Sequence, residues 1–371
     1  MVRWRLLLAG LIVVGGWASS CSPADFQSST VIDGVRILAS RARPSPRVTP
    51  GTTVTLDLLA YDGRVAPVGT MKLSWLKLPC INPANDAYFA CFATLAAGGG
   101  DAGVLLGAGG SADADASAGA GAGAGADAGA GAGAGALAPL LVTESSVTFK
   151  MPEDVIIQRT GVTPSYGLAI LFNFACTGTL KLLPYDPNSS NPQQIPVGCF
   201  DANGNQLGAQ DFVFGFTRVY AYDTTNEVNP VIQDVDIGGP PPLELVDGGP
   251  NTKPFVVPLC AESDGGTICE HAIGPVVGAS PPANKQVWAD FYSTVGTFSS
   301  EAKLLFDPTV TLSIPGGTNN KYSAPATLLG APKNNLLWIV VHDDQGGADW
   351  AIVPLQFTSP DADGGPAERD R

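Results

Sequence analysis

Short runs in which apolar and polar residues alternate, separated by proline and glycine, constrain this chain more than any other feature. Residues 35–40 (VRILAS) and 53–58 (TVTLDL) show the alternation, and a Pro-Gly pair at 50–51 separates them. A period of two places every second side chain on one face, which predicts half-buried β-strands. Helical periodicity is nearly absent beyond the first 20 residues, and 45 glycines and 31 prolines favour frequent turns. The sequence therefore predicts an all-β protein.

The strand-like runs fall into two groups, which indicates two domains. The first group continues at 71–78, 145–151, 166–175 and 212–222, and the second lies at 254–259, 286–293, 302–305, 309–314 and 336–342. A stretch rich in proline and glycine at 238–254 comes early in the second group. Turns every eight to twelve residues are typical of antiparallel β-sandwiches. We place one sandwich at residues 35–225 and the other at 228–358.

Three further segments lack the side chains that a core requires. Residues 97–136 are almost entirely glycine and alanine, with little apolar area to offset the entropy lost on ordering. We expect them to form a disordered loop insert within the first domain. Residues 21–34 are expected to be a polar tether, and residues 359–371 a disordered acidic tail.

The N-terminus has the features of a secretory signal that ends at a cysteine. Two arginines precede the apolar run Leu6 to Val14, which is too short for a bilayer of about 30 Å. Ala18-Ser19-Ser20-Cys21 resembles a bacterial lipobox, in which the cysteine becomes lipidated and starts the mature chain. We therefore expect residues 1–20 to be removed and Cys21 to anchor the protein in a membrane of the cell envelope. Because Ser22 gives no acidic retention signal, we expect the outer membrane.

The other six cysteines form three couples that are close in sequence: Cys80 with Cys91, Cys176 with Cys199, and Cys260 with Cys269. An even number suits disulfide bonds in an oxidising compartment. Six cysteines allow 15 connectivities, so the three local disulfides are predicted from proximity. The spacing of zinc ligands is absent, because no couple is C-x-x-C and the chain has two histidines.

The net charge of −14 argues against a nucleic acid as the partner. Phosphate backbones are bound by stripes of lysine and arginine, and this chain has 34 acidic residues against 20 basic ones. It also lacks the glycine-rich loops that bind nucleotides after a strand, and no cofactor is predicted.

Candidate site residues are few, because the motifs of nucleophilic hydrolases and of zinc proteases are absent from the sequence. His342 precedes two aspartates and resembles a general base beside a carboxylate, although a strand-end histidine looks the same. Asp343, Asp344 and Asp349 are weak candidates for a calcium site, and turn aspartates that bind backbone amides are the stronger interpretation. Trp288, Trp338 and Trp350 could form a platform for sugars, but tryptophans buried in a sandwich are more usual. His271, next to Cys269, is interpreted as a loop residue.

Four stretches resemble the immunoglobulin-like (Ig-like) domains of uncharacterised bacterial lipoproteins of the myxobacterial type. They are VRILASRARPSPRVTPGTTVTLDLLAYD at 35–62, CFDANGNQLGAQDFVFGFTRVYAY at 199–222, NPVIQDVDI at 229–237 and LLWIVVHDDQGGADWAIVPLQF at 336–357. The resemblance implies that both sandwiches are Ig-like, and it implies no catalytic residues.

The sequence thus favours a lipid-anchored envelope protein that is not an enzyme and that binds or spaces other molecules. Its expected partners are the membrane, through the lipid, and an unknown protein or polysaccharide of the envelope. The alternative is an unrecognised envelope hydrolase or a carbohydrate-binding protein.

Overall fold

The fold is taken from a computed structural model, which describes residues 30–67, 69–92, 141–183, 195–238, 241–246, 249–260, 270–278, 285–310, 317–331 and 334–358. The predicted signal peptide, Cys21, the insert at 97–136, Cys269 and the tail at 359–371 lie outside these residues. Within them the regular secondary structure is almost all strand. The helical segments include the short 3-10 helix Ala84–Asp86 and residues 90–92.

Eleven strands of the first unit lie in the described residues. They are β1 (Val35–Arg43), β2 (Arg47–Val48), β3 (Thr53–Asp62), β4 (Lys72–Leu76), β5 (Cys80–Ile81), β6 (Leu141–Val142), β7 (Ser146–Lys150), β8 (Gly167–Cys176), β9 (Thr179–Leu182), β10 (Val197–Phe200) and β11 (Phe212–Ala221). One sheet has the order β1-β3-β7, and the facing sheet has the order β2-β11-β8-β4-β6, with β5 also paired to β8. The hairpin of β9 and β10 is separate.

The described part of the second unit contains ten strands. They are β12 (Ile232–Asp236), β13 (Leu243–Glu244), β14 (Phe255–Pro258), β15 (Glu270–Val277), β16 (Val287–Ser293), β17 (Thr297–Phe298), β18 (Ala302–Phe306), β19 (Asn320–Ser323), β20 (Leu336–Asp343) and β21 (Ala348–Thr358). The two sheets have the orders β13-β12-β15-β19-β17 and β14-β21-β20-β16-β18.

The two units share one strand arrangement, which is Ig-like. In each, one sheet contains the first two long strands, and the other contains the last two long strands with a central strand beside them. In each, a short edge strand pairs in parallel with the final strand: β2 with β11, and β14 with β21. The remaining pairings between strands are antiparallel. The predicted all-β fold with two Ig-like sandwiches is confirmed.

A hydrophobic core lies between the two sheets of each unit. Trp75 on β4 is fully buried in the first core, and Phe291 on β16 is fully buried in the second. Burying a side chain of this size contributes roughly 1.5–3 kcal/mol or more. The alternation found in the sequence therefore supplies the inner face of each sandwich, as expected. The domain boundaries stay predictions.

Disulfides join Cys80 to Cys91 and Cys176 to Cys199, as predicted from their proximity. Both lie in the first unit and hold segments of chain against strand β8, which itself contains Cys176. Cys260 is also disulfide-bonded, and Cys269, the partner predicted for it, lies outside the described residues.

Two expectations about individual segments are wrong. Residues 30–34 belong to the fold and not to a tether: Ile32 is 1% exposed, and its N–H donates to the carbonyl of Ser293 at 2.9 Å. The reason is that Val31 and Ile32 are apolar residues that follow the polar part of the segment. Of the predicted strand at 309–314, residues 309 and 310 are in no strand, and the rest lies outside the described residues.

Candidate functional site at the junction of the two units

Strands β20 and β21 bury apolar side chains on both of their faces. Leu337, Ile339 and Val341 point into the core of the second unit, so the alternate residues Trp338 and Val340 point away from it. Those residues meet β1 and β3 of the first unit. The contact forms a junction cluster, which we define as Ile32, Leu38, Ala39, Leu59, Trp338, Val340 and Trp350, each 7% exposed or less. Tyr61 packs on its edge, with its ring centroid 4.6 Å from that of Trp338.

Arg41 on β1 joins the two units beside this cluster. Its Nη1 lies 2.5 Å from Asp349 of the second unit, and its Nη2 lies 3.4 Å from Asp57 of the first. The guanidinium carbon is 4.2 Å from the ring centroid of Trp350. Asp349 also accepts a hydrogen bond of 2.8 Å from the N–H of Ile232. Because these charges are largely removed from water, the contacts are stronger than those of an exposed ion pair.

The linker between the units is bound to the fold at both of its ends. Lys285 is 2% exposed, and its Nζ donates to the carbonyl of Val228 at 2.8 Å and to Asp343 at 3.0 Å. Glu227 is paired with the same ammonium group. On the other side, Asn229 donates to the carbonyl of Ala42 at 2.7 Å. A buried charge needs such partners, so moving the linker residues away would cost Lys285 two of these three contacts and leave it with Asp343.

An open groove of about 470 Å³ runs along the junction. Its described lining includes Arg41, Asn229, Pro230, Asp349 and Trp350, and it contains no serine, threonine, cysteine, histidine or lysine. Its charged groups are paired: Arg41 with Asp349, and Arg43 with Asp57, which lies outside the lining. The described lining therefore offers shape and apolar contact, and its one carboxylate, Asp349, is engaged by Arg41.

The three aspartates suggested for calcium have separate partners. Asp343 accepts hydrogen bonds from the N–H groups of Gln345 and Gly347, at 3.0 and 2.7 Å, and its other oxygen faces Lys285. This is the turn role that the sequence favoured. Asp349 pairs with Arg41, and Asp344 is exposed with its N–H donating to Gln286. Within the described ranges, no three acidic, cysteine or histidine side chains are grouped as metal ligands.

His342 lies at the end of β20, as the strand-end interpretation predicts, whereas His271 is not in the predicted loop. His342 contacts Asp290 on β16, with Nε2 3.2 Å from the carboxylate, rather than the aspartates that follow it in the sequence. Its ring stacks on Trp288 at 5.7 Å. His271 is a strand residue on β15, not a loop residue, and burial lowers its pKa.

The tryptophans also differ from expectation. Trp338 and Trp350 are buried, at 1% and 6% exposed, but in the junction cluster rather than inside a sandwich. Trp288 is partly buried beside His342 and lies apart from that cluster. The three residues thus do not form one sugar platform.

Arg41 and Lys285 are the residues that sequence reasoning missed. Their partners lie 308 and 58 positions away in the chain, so no local pattern could connect them. The sequence signal for the junction is the continuous apolar run LLWIVV at 336–341. A strand buried on one face needs an apolar residue only at every second position, so a continuous run indicates burial of both faces.

In the described parts of the chain, no helix is long and apolar enough to cross a membrane. No protein-family model matches the sequence, and no curated protein matches it.

Several solved structures are similar at low identity. Three N-terminal domains of the highly immunogenic outer capsid protein (Hoc) of bacteriophage RB49 are 10% identical, over 87% of this chain and 71% of that one, with a TM-score of 0.19. The D00–D0 domain of intimin is 8% identical over 85% and 99% of the two chains, with a TM-score of 0.18. A mutant of Salmonella alpha-2-macroglobulin is 12% identical over 89% and 17%, with a TM-score of 0.20. None of these similarities says what this chain binds.

Proposed function

We propose that this chain is a cell-envelope lipoprotein, anchored through Cys21, whose two Ig-like units form a stiff, non-catalytic module for binding or spacing. The observation that supports stiffness is the junction cluster, together with the ion pairs of Arg41 and Lys285. Domains in one chain move relative to each other unless their interface is large and apolar. Here the interface contains two tryptophans, and the linker is bound on both sides.

A stiff pair of sandwiches suits an anchored protein that must hold a surface at a set distance from the membrane. The groove gives no support to the alternative of a hydrolase, because its described lining has no serine, cysteine, histidine or lysine and its aspartate is paired with Arg41. The lipid anchor is supported by the sequence alone: a short apolar segment, small residues and then Cys21.

Two measurements test the proposal. Cell fractionation of the Cys21→Ser variant should move the protein from the membrane fraction to the soluble envelope fraction, whereas Ser22→Ala should leave it in the membrane. Retention of Cys21→Ser in the membrane would refute the anchor.

Stiffness is tested on the released Cys21→Ser chain by small-angle X-ray scattering. Adding Arg41→Ala removes the charge that joins β1 to Asp349, and we expect a broader distribution of interatomic distances. Arg64→Ala is the matched control, since Arg64 pairs with Asp62 and Asp211 inside the first unit. An equal change in both variants, or in neither, would contradict a junction held by Arg41.

A further inference from the structure

The side chain of Lys285 places a primary amine against a carboxyl group inside the second unit. Lys285 is 2% exposed and Asp343 is 3% exposed, and Nζ of the lysine lies 3.0 Å from Oδ2 of the aspartate. A buried ion pair stabilises a fold little or not at all compared with apolar side chains in its place, because both charges lose their water. The burial of this amine therefore needs an explanation other than stability.

The sheet fixes the contact between the two side chains. Strand β16 begins two residues after Lys285, and its first residue, Val287, lies opposite Asp343 at the end of β20. Between these positions, the N–H of Asp344 donates to the carbonyl of Gln286 at 3.1 Å. The end of the ladder between β16 and β20 thus holds together two side chains that are 58 residues apart in the chain.

The two oxygens of the Asp343 carboxyl have different surroundings. Oδ1 accepts hydrogen bonds from the N–H groups of Gln345 and Gly347, at 3.0 and 2.7 Å, whereas Oδ2 faces the amine. Two N–H groups that point at one oxygen stabilise the negative charge that forms there when a nucleophile attacks the carbon. Gly347 is required for this geometry, because a Cβ at that position would lie 2.4 Å from Oδ2.

The linker supplies a group that can transfer protons between the amine and the carboxyl. Oε2 of Glu227 contacts Nζ of Lys285, and within the described residues this buried oxygen accepts no hydrogen bond. It is therefore free to take a proton and to return it. The carbonyl of Val228 accepts a hydrogen bond of 2.8 Å from the same Nζ and fixes its position. The site thus combines a nucleophile, an acyl group, oxyanion donors and a proton carrier.

We propose that Lys285 and Asp343 react to form an amide bond, a covalent cross-link between the start of β16 and the end of β20. Glu227 takes a proton from the ammonium group, and the neutral amine attacks Cγ of Asp343 while negative charge forms on Oδ1. The bond that forms joins Nζ to Cγ, and the bond that breaks joins Cγ to Oδ2. Two protons of the ammonium group pass through Glu227 to Oδ2, which leaves as water, and nothing is oxidised or reduced.

The setting of the pair favours the amide over the ions. Well-oriented groups in one molecule react as if each were present at about 10⁵–10⁸ M. The site holds one ammonium and two carboxylates before the reaction, 1 − 2 = −1, and afterwards it holds only the carboxylate of Glu227. The reaction therefore removes two charges from the interior, where charges are costly.

The cross-link goes beyond the proposed role in binding or spacing. It joins two neighbouring strands of the second unit, and it needs Glu227, which belongs to the linker between the units. The second unit is thus locked covalently only when the linker lies in its place at the junction.

The test is the intact mass of the released Cys21→Ser chain, measured after denaturation and reduction of the disulfides. We expect a mass lower by one water than the sequence requires, and a branched peptide that joins Lys285 to Asp343 after proteolysis. The matched control lies in the same sample: Lys321 and Glu270 are also in contact, at 2.8 Å, but their side chains are 64% and 40% exposed. No branched peptide is expected there.

Two variants separate the roles of the residues. Glu227→Gln keeps the shape of the side chain but cannot carry the proton, and we expect about tenfold less cross-linked product or lower still. Lys285→Arg keeps the positive charge but has no amine to acylate, so its mass should equal that of its sequence. Circular dichroism verifies that both variants are folded.

Three results would contradict the inference. A parent chain of full mass, with no branched peptide, would overturn the cross-link without reference to any variant. An equal yield of a branched peptide at Lys321 would also overturn it, because the water would then have been lost during sample handling. Equal cross-linking in Glu227→Gln and in the parent would overturn the role of Glu227. None of these measurements involves the membrane anchor, so their failure is distinct from failure of the proposed function.

Discussion

Strands β8 and β20 occupy the same place in the two units, and both are buried on both faces, but the second face is covered differently. In the first unit the cover is local: Phe92 and the Cys80–Cys91 disulfide lie on the outward side of β8. In the second unit the cover is β1 and β3 of the first unit, which meet Trp338 and Val340. The outward face of β8 is thus covered by a segment of its own unit, whereas the outward face of β20 is covered by the other unit.

This difference predicts that the two units do not depend equally on each other for their stability. Removing the second unit would uncover β1 and β3, whereas removing the first would uncover Trp338, Val340 and Trp350 on the central strands of the second. An apolar patch of that kind promotes association. We infer that the second unit relies on the first for its stability more than the reverse.

The largest effect is expected for Trp338→Ala. This change leaves a cavity at the centre of the junction cluster, and a buried tryptophan replaced by alanine costs about 3–5 kcal/mol. Urea unfolding of the released chain should show the loss in the second unit. Trp288→Ala is the matched control, because Trp288 is only partly buried, and we expect it to cost clearly less. Equal costs would show that the junction does not support the second unit.

The sequence was sufficient for the central strands β8 and β20 but not for the segments that cover them, and it missed β15. The apolar runs at 166–175 and 336–342 correspond to β8 and β20 within one residue. Such a run indicates a strand buried on both faces, yet it does not say what lies against each face. The sequence therefore predicts Trp338 inside a sandwich and indicates no role for Lys285, because contacts between distant segments arise only in the folded chain.

An intermediate effect is expected when the local cover of β8 is released. The pair Cys80→Ala and Cys91→Ala removes a disulfide that spans 11 residues, and the chain-entropy model gives a loss of about 2–3 kcal/mol. Hydrogen exchange should rise at residues 80–92 and along β8, while β20 stays protected. A comparable rise along β20 would contradict the view that the two strands have independent covers.

The smallest effect concerns pH, and it separates the units because both histidines lie in the second. His271 packs edge-on against Phe255, and its Nε2 is buried without a described hydrogen-bond partner. Burial lowers the pKa of His271, so the folded state favours the neutral ring. The unfolded chain, where a histidine titrates near pH 6.5, binds the proton first as the pH falls.

Stability should therefore be full above about pH 7.5 and decrease as the pH falls through about 6.5, because the unfolded state then binds more protons than the folded state. His271→Phe keeps the shape of the ring and removes the charge. We expect this variant to match the parent chain at pH 8 and to be more stable than it at pH 5, as measured by urea unfolding at both pH values. His342→Gln is the matched control, and it should retain the contribution of His271 to the pH dependence. If His271→Phe differed in stability from the parent chain by the same amount at both pH values, the protonation of His271 would not change on folding. The pH sensitivity of the second unit would then have to arise from another group.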